Sequence, residues 1–273
     1  MKLRGKTIVI TGSTSGIGKQ LAESLVAREN SVVIVGHHRE RVESTVEDLH
    51  RLRRGVIKGF VCDLASRDDV LATAAAIDQS IGNVDCLINN AGFGVYRTFE
   101  ASTVEEIERL LAVNLTGHLL MTKALLPAMI QRRSGAIGYV ASIAGVLPIT
   151  PNATYCAAKH AMVAFSAALR EEVRRFGISV TTILPGRVET PFFEHETFAR
   201  RVRGPETRWS VSVEAVARAT IRAIEKDRRI AYVPGTLAPV VWAFGSLSFI
   251  FRPLYAAVVR SRIEAIYDSR NAT

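Results

Sequence analysis

At 273 residues, with 48% hydrophobic and 22% charged side chains, the chain is long and apolar enough to bury one sizeable core. Its three cysteines, Cys62, Cys86 and Cys156, have no metal-ligand spacing, which argues against a metal site. Their odd number, with no secretory segment ahead of the first strand, points to a reducing cytosol. The net charge of +9 raises the question of nucleic acid, but no recognition motif accompanies it.

Lys6 to Thr11 reads as a buried strand. It runs into Gly12-Ser13-Thr14-Ser15-Gly16-Ile17-Gly18 and then a helix predicted over Lys19 to Arg28. The glycines permit a tight turn and close backbone approach to a pyrophosphate, whose charge the amides at a helix N-terminus favour. The order G-x-x-x-G-x-G differs from the G-x-G-x-x-G fingerprint, so at this point a purely structural turn stays open. Apolar runs at Ser31 to Val35, Val56 to Cys62, Val84 to Ile88, Ala136 to Ala141 and Ile178 to Leu184 alternate with helical stretches. This predicts an α/β fold with an open parallel sheet covered on both faces, its ligands beyond the carboxyl ends of the strands. No linker, low-complexity break or internal repeat interrupts the pattern. Further along, Tyr155 and Lys159 stand one helical turn apart, on one face. A fixed positive charge near a phenol stabilises the phenolate, and brings proton donation by a group of pKa ~10 within reach of neutral pH. A solvated lysine beside a half-buried tyrosine is the plain alternative for the pair alone.

Thr11-Gly12-x-x-x-Gly16-x-Gly18, Asn89-Asn90-Ala91-Gly92, Asn114, Ser142, Tyr155-x-x-x-Lys159 and Pro185-Gly186 occur in the order and approximate spacing of the short-chain dehydrogenase/reductase family. The chain resembles that family from about Leu3 to Val233. The resemblance implies a single doubly wound Rossmann-type domain over 1–233, with a substrate lid near 190–210, and 234–273 as an apolar and basic extension read as helical. It implies an oxidoreductase that moves a hydride between a nicotinamide and a carbonyl or secondary alcohol. In that scheme Tyr155 protonates the carbonyl oxygen and Ser142 donates a hydrogen bond to it. Lys159 lowers the phenol pKa and binds the nicotinamide ribose, and Asn114 completes a proton relay through water. Each has a plainer alternative: Ser142 capping a turn, Asn114 ending the helix that begins near Ser102, Lys159 exposed.

By the same resemblance the nucleotide lies along Gly12, Ser13, Thr14, Ser15, Gly16, Ile17 and Gly18, along Asn90, Ala91 and Gly92, and along Tyr155, Lys159, Pro185, Gly186, Val188 and Thr190. Asp63, with Leu64, resembles the residue that meets the adenine ring; its alternative is a helix N-cap. Strand two ends at Gly36-His37-His38-Arg39-Glu40-Arg41. Gly36 stands where relatives preferring NAD carry an aspartate, so the positive cluster favours NADP(H). NAD(H) stays open, because His37 occupies the position where arginine commonly follows in NADP-using relatives.

Phe93, Ile143, Leu147, Phe192 and Phe193, beside Ser142 and Tyr155, suggest a hydrophobic substrate of lipid, steroid or retinoid type, although the same residues equally suit ordinary core. His195 reads as a surface residue. From Ile230 to Phe251 no residue is charged, and the arginines concentrate after the catalytic helix. Three readings of that tail stay open: a membrane span, an anchor at the membrane surface, or packing in a subunit interface or over the substrate site. A homodimer or homotetramer paired through the helices beginning near Leu115 and Thr154 follows from the resemblance. The contrasting class of function is a nucleotide-binding scaffold without turnover.

Overall fold

A computed structural model describes residues 1–52, 55–188, 190, 192, 210–247, 249–250, 253, 255–257, 259–260 and 263–264. Seven strands form one parallel sheet in the order β3-β2-β1-β4-β5-β6-β7. They are β1 (Thr7–Thr11), β2 (Ser31–Gly36), β3 (Ile57–Val61), β4 (Cys86–Asn89), β5 (Gly135–Val140), β6 (Ile178–Pro185) and β7 (Ile230–Val233). The first five predicted runs and the run into Pro185 are all strands, shifted by a residue or two. The sequence reading missed β7, which is only four residues long and opens the uncharged tail.

Strand alternation builds two cores from one sheet. Ile8, Ile10, Val32, Ile34, Cys86 and Ile88 face one side, where helices α1 (Gly16–Val26), α2 (Arg39–Leu52) and α7 (Val213–Glu225) pack through Leu21, Leu25, Val42, Ile221 and Ile224. Val9, Val33, Val35, Leu87, Ile137 and Tyr139 face the other. They meet α3 (Arg67–Ile81), α5 (Gly117–Arg132) and α6 (Ala153–Val173) through Val70, Ile77, Met121, Leu125, Met162 and Leu169. Helix α1 starts at Gly16, three residues earlier than predicted, which places Gly16 and Gly18 inside its first turn. Helix α4 (Val104–Leu111) begins on a capping box: Thr103 accepts from the Glu106 amide, and the Glu106 carboxylate accepts from the Thr103 amide. It runs through a π-helical turn, Ala112–Thr116, straight into α5. The continuous helix Val104–Arg132 is long and apolar enough to cross a membrane. In this fold it is a core element, with Met121, Leu125 and Met129 buried against the sheet.

The strand order reverses between β1 and β4, because β2 and β3 lie on one side of β1 and β4 to β7 on the other. The crevice at that switch point is where an open α/β sheet binds ligands. The tail is not one segment: β7 pairs with β6, and α8 (Leu237–Ser246) follows. At 1.5 Å per residue α8 is about 15 Å long, half of a ~30 Å hydrocarbon layer, so it does not span one. Among the described residues beyond α8, 249–250, 253, 255–257, 259–260 and 263–264 are helical.

Candidate active site

The turn after β1 is fastened to its neighbours before any ligand is considered. The Gly12 amide donates to the Val35 carbonyl at 2.8 Å, and the Ser13 hydroxyl donates to Ile10 O at 2.8 Å while accepting from Val35 N at 3.1 Å. Gly12 has φ +64°, and a Cβ there would lie 2.6 Å from Ala91 Cα; one on Gly18 would lie 2.1 Å from the Gly12 carbonyl oxygen. Both positions therefore demand glycine. Across the switch point Thr11 Oγ1 accepts from the Asn90 and Ala91 amides at 2.9 and 3.1 Å, and Asn90 Nδ2 donates to Thr11 O and Gly12 O. Two residues expected along the nucleotide have side chains turned into the protein. Ser13 is fully buried and its hydroxyl is spent inside the turn, so its side chain does not face a ligand. Leu64 is 7% exposed and packs in the core facing α3 and α5.

At the end of β2 the rings of His37 and His38 are 3.8 Å apart. Burial, and then His38, hold the His37 imidazole below its ordinary pKa. An imidazole held below that value is mostly uncharged at pH 7, and Arg109 and Arg41 are the guanidinium groups that act on it. Arg39 stands 3.7 Å from Glu43, one turn along α2. Asp63 is not a helix cap: Ser66 caps α3 by accepting from Asp69 N at 3.2 Å. Burial raises the Asp63 carboxyl pKa, but the Ala65 amide and Arg109, at 3.2 Å, outweigh it and hold the group below its ordinary value.

Four side chains from three elements surround the carboxyl ends of β4 and β5. Ser142 caps the short turn Ile143–Gly145, accepting from the Ala144 amide at 3.1 Å, and also hydrogen-bonds Tyr155. Lys159 is 3% exposed; its ammonium donates to Val140 O at 3.3 Å and lies 5.6 Å from the Tyr155 ring centroid. Asn114 sits in the π-helical turn, a local widening that recurs at functional sites. Its amide nitrogen donates to Phe93 O at 3.0 Å and Leu110 O at 3.1 Å, and its buried Oδ1 has no hydrogen-bond partner among the described residues.

The expected lowering of the tyrosine pKa is reversed in this structure. Burial pushes the Tyr155 phenol up, and the bond with Ser142 offsets only part of it. Burial also brings the Lys159 ammonium down to about 8. One turn beyond Asn114, on the same helical face, His118 is fully buried between Asn89 Oδ1 at 3.2 Å and Ala91 O at 2.8 Å. Burial, followed by the Lys159 charge, lowers it to about 3, so it is a neutral imidazole.

A cavity of about 450 Å³ opens over this group. Of the residues singled out in the sequence, it is lined by Ile17, Asn90, Gly92, Ser142, Ile143, Tyr155, Lys159, Pro185, Gly186, Val188, Thr190 and Phe192. Phe192 meets Tyr155 edge on, with ring centroids 5.5 Å apart. Phe93 is not on that wall; it packs with Val95, Leu110 and Ala158 beneath Tyr155. Leu147 is also absent from the lining. Phe193, His195 and most of the predicted lid lie outside the described residues. The sequence reading missed Tyr96, Ile149, Thr150 and Arg187, and above all Tyr255 and Val259, which the tail brings to the cavity from more than sixty residues beyond Pro185. His118 could have been found from its i+4 spacing to Asn114; Arg109 and Tyr255 carry no local signal.

The family model described as short chain dehydrogenase matches residues 6–200. An uncharacterized oxidoreductase of Staphylococcus epidermidis is 31% identical over 239 residues, covering 88% of this chain and 99% of its own. The 17-beta-hydroxysteroid dehydrogenase 13 of Mus musculus is 32% identical over 235 residues, 84% of this chain and 74% of its own. Among solved structures, a short-chain dehydrogenase from Sphingobium yanoikuyae in complex with NADPH superposes with a TM-score of 0.80 at 25% identity, over 92% of this chain and 95% of that one. A Burkholderia phymatum short chain dehydrogenase/reductase in complex with NAD shares the fold, with a TM-score of 0.81 at 24% identity over 90% and 95%. The chain belongs to the short-chain dehydrogenase/reductase family of oxidoreductases.

Proposed function

We propose that the protein is an NADP(H)-dependent oxidoreductase that interconverts a hydrophobic carbonyl and its secondary alcohol, with Tyr155 as general acid and base. The observation that carries this reading is the convergence of Ser142, Tyr155 and Lys159 on one largely apolar cavity at the switch point of the sheet. The dinucleotide fits the residues present: the cradle at Gly12 and Gly18 admits no side chain and leaves room for close backbone approach to a pyrophosphate. When bound, the nicotinamide supplies or accepts the hydride.

The protein's own part is to hold and move a proton. Burial keeps the Tyr155 phenol protonated, as an acid must be before it acts. Ser142 donates to the substrate oxygen, so that oxygen is aligned with the phenol. Below its lowered pKa of about 8 the Lys159 ammonium is the nearby charge that favours the phenolate left behind. Asn114 Oδ1 accepts from a water that returns the proton. Phe192 packs edge on against the Tyr155 ring at the cavity wall.

NADP(H) is preferred in this reading because Gly36 offers no carboxylate to repel a 2'-phosphate, while Arg39 and Arg41 stand nearby. The neutral His37 supports the second reading, NAD(H). The apolar share of the cavity wall, and the similarity to a hydroxysteroid dehydrogenase, support a lipophilic substrate. Assembly as a homodimer or homotetramer through α5 and α6 belongs to the same reading and rests on the family resemblance. The test is NADPH and NADH affinity by fluorescence, then oxidation of the tighter cofactor with long-chain, steroidal and retinoid carbonyls. Turnover that disappears in Tyr155→Phe, with nucleotide affinity kept, supports the reading; binding without turnover of any of them defeats it.

A further inference from the structure

Helix α8 has no charged side chain, yet none of its residues is fully buried. Its half-buried positions include Leu237, Val241 and Phe244, spaced i, i+4 and i+7 along one face. That face leans on the cavity wall. Leu237 Cδ1 is 3.2 Å from where a Cβ on Gly186 would stand, and Phe244 meets Tyr255 edge on with centroids 5.7 Å apart. Tyr255 lines the cavity, and its hydroxyl donates to the Pro148 carbonyl. The remaining surface is apolar and open to solvent: Trp242 is 67% exposed, Phe249 74%, Val240 54% and Ile250 46%.

Along the sequence, the charges that flank this apolar run have one sign. Between Asp227 and Glu264 lie 36 residues with five arginines and no carboxylate. A two-fold contact between copies would set these arginines against their own counterparts, which costs free energy. An anionic lipid surface pairs with them instead. An uncharged helix of about 15 Å, too short to span, lies in the plane of the headgroup region, the depth at which an indole settles.

We infer that the C-terminal extension docks on a phospholipid bilayer carrying anionic headgroups, seating Val240, Trp242, Phe249 and Ile250 at the interface and setting the cavity behind Tyr255 beside the lipid. The inference deepens the reading of a lipophilic substrate and rests on it for its purpose, while the docking itself needs no turnover.

The experiment uses the full chain with Trp209→Phe, so that Trp242 is the single tryptophan of the two in the sequence. Vesicles of phosphatidylcholine alone, and with 30% phosphatidylglycerol, are tested by flotation; quenching by brominated acyl chains reports the depth of Trp242. The expected result is binding at least about tenfold tighter to the anionic vesicles, weakened in 0.5 M salt, with Trp242 quenched. Trp242→Asp and Phe249→Asp, each at an exposed position that the fold tolerates, should each lower binding about tenfold or more with unchanged circular dichroism. No flotation with either vesicle overturns the inference. So does binding untouched by both substitutions, or a dimer that both dissociate with no vesicle binding, which would make a second copy the occupant. Tyr155→Phe must dock like the parent, so a failure of the catalytic reading and a failure of docking give different results.

Discussion

The side-chain oxygen of Asn114 lies 2.5 Å from the point a Cβ on Gly92 would occupy, and the Lys159 ammonium lies 3.5 Å from that same point. The missing side chain of Gly92 is thus what gives the buried Asn114 acceptor and the lysine a common space. Gly92→Ala should fill it. A methyl forced against an oxygen there costs about 1–3 kcal/mol of stability, and turnover should fall about a hundredfold because the relay water has lost its place. Denaturant unfolding and steady-state kinetics check both. Full activity in the folded variant would remove Asn114 from the relay.

The two hydroxyls should separate by role. Tyr155→Phe deletes the proton and is expected to lower kcat by about 10²–10⁴ with little change in nucleotide affinity. Ser142→Ala deletes a donor to the substrate oxygen, and also the cap of the turn Ile143–Gly145. It should cost about 10²–10³ in kcat and about 1 kcal/mol in stability. Equal kinetic and stability losses in both variants would mean that Tyr155 acts only through packing.

Lys159 gives a pH signature in stability. Its ammonium drops from 10.5 in the unfolded chain to about 8 in the fold, because burial penalises the charged form. Between those values the unfolded chain binds more protons, so stability rises with pH from about 8 to 10.5 and is flat in this respect below 8. The penalty at pH 7 is on the order of 3 kcal/mol. Lys159→Met should therefore be more stable than the parent at pH 7, by a margin that shrinks as pH approaches 10, while losing activity. Urea midpoints at pH 7, 8.5 and 10 test this; a margin that does not move with pH would show that the ammonium is solvated in the fold.

How far the sequence reached depends on whether the signal was local. The strands from β1 to β6 were legible because buried parallel strands are continuous apolar runs with few competing readings. Gly12, Gly18 and the Tyr155–Lys159 pair were legible because each needs one residue type at one spacing. β7 was hidden, since four residues opening an uncharged run do not distinguish a strand from a helix. Phe93 and Leu147 were misplaced for a related reason: an aromatic or aliphatic side chain looks the same in sequence whether it faces core or cavity. Tyr255 and Arg109 meet partners 107 and 46 residues away, Pro148 and Asp63, and only the fold brings those together. The tyrosine pKa failed in direction because charge proximity was visible in the spacing and burial was not.

The cysteines should be inert. Cys156 adjoins Tyr155 but is buried, its Sγ tied to the Ile149 backbone, and burial raises its thiol pKa; Cys86 is pushed up to about 12. A thiol within this site therefore holds its proton at pH 7.5 and is a poor nucleophile. Iodoacetamide should label none of Cys62, Cys86 and Cys156 in the folded protein within an hour and all three in urea, by intact mass. Rapid native labelling of Cys156 with loss of activity would show that the loop before α6 opens.

Cofactor choice turns on the end of β2. A Cβ on Gly36 would lie 2.8 Å from Thr14 Cγ2 and 3.1 Å from Val42 Cγ2, so Gly36→Asp requires the Thr14 side chain to give way, and circular dichroism of the variant is read beside its cofactor affinity. Its carboxylate would repel a 2'-phosphate and accept from ribose hydroxyls. NADPH affinity should fall by about ten- to a hundredfold, or about 1.4–2.7 kcal/mol, and NADH affinity should rise. His37→Arg should act in the opposite sense, since it replaces a neutral ring with a permanent cation able to pair with phosphate bidentately. Fluorescence titration of both cofactors against the three proteins measures this directly. If NADPH binding is unchanged by either substitution, the 2'-phosphate is not read at this strand end, and the preference passes to NAD(H).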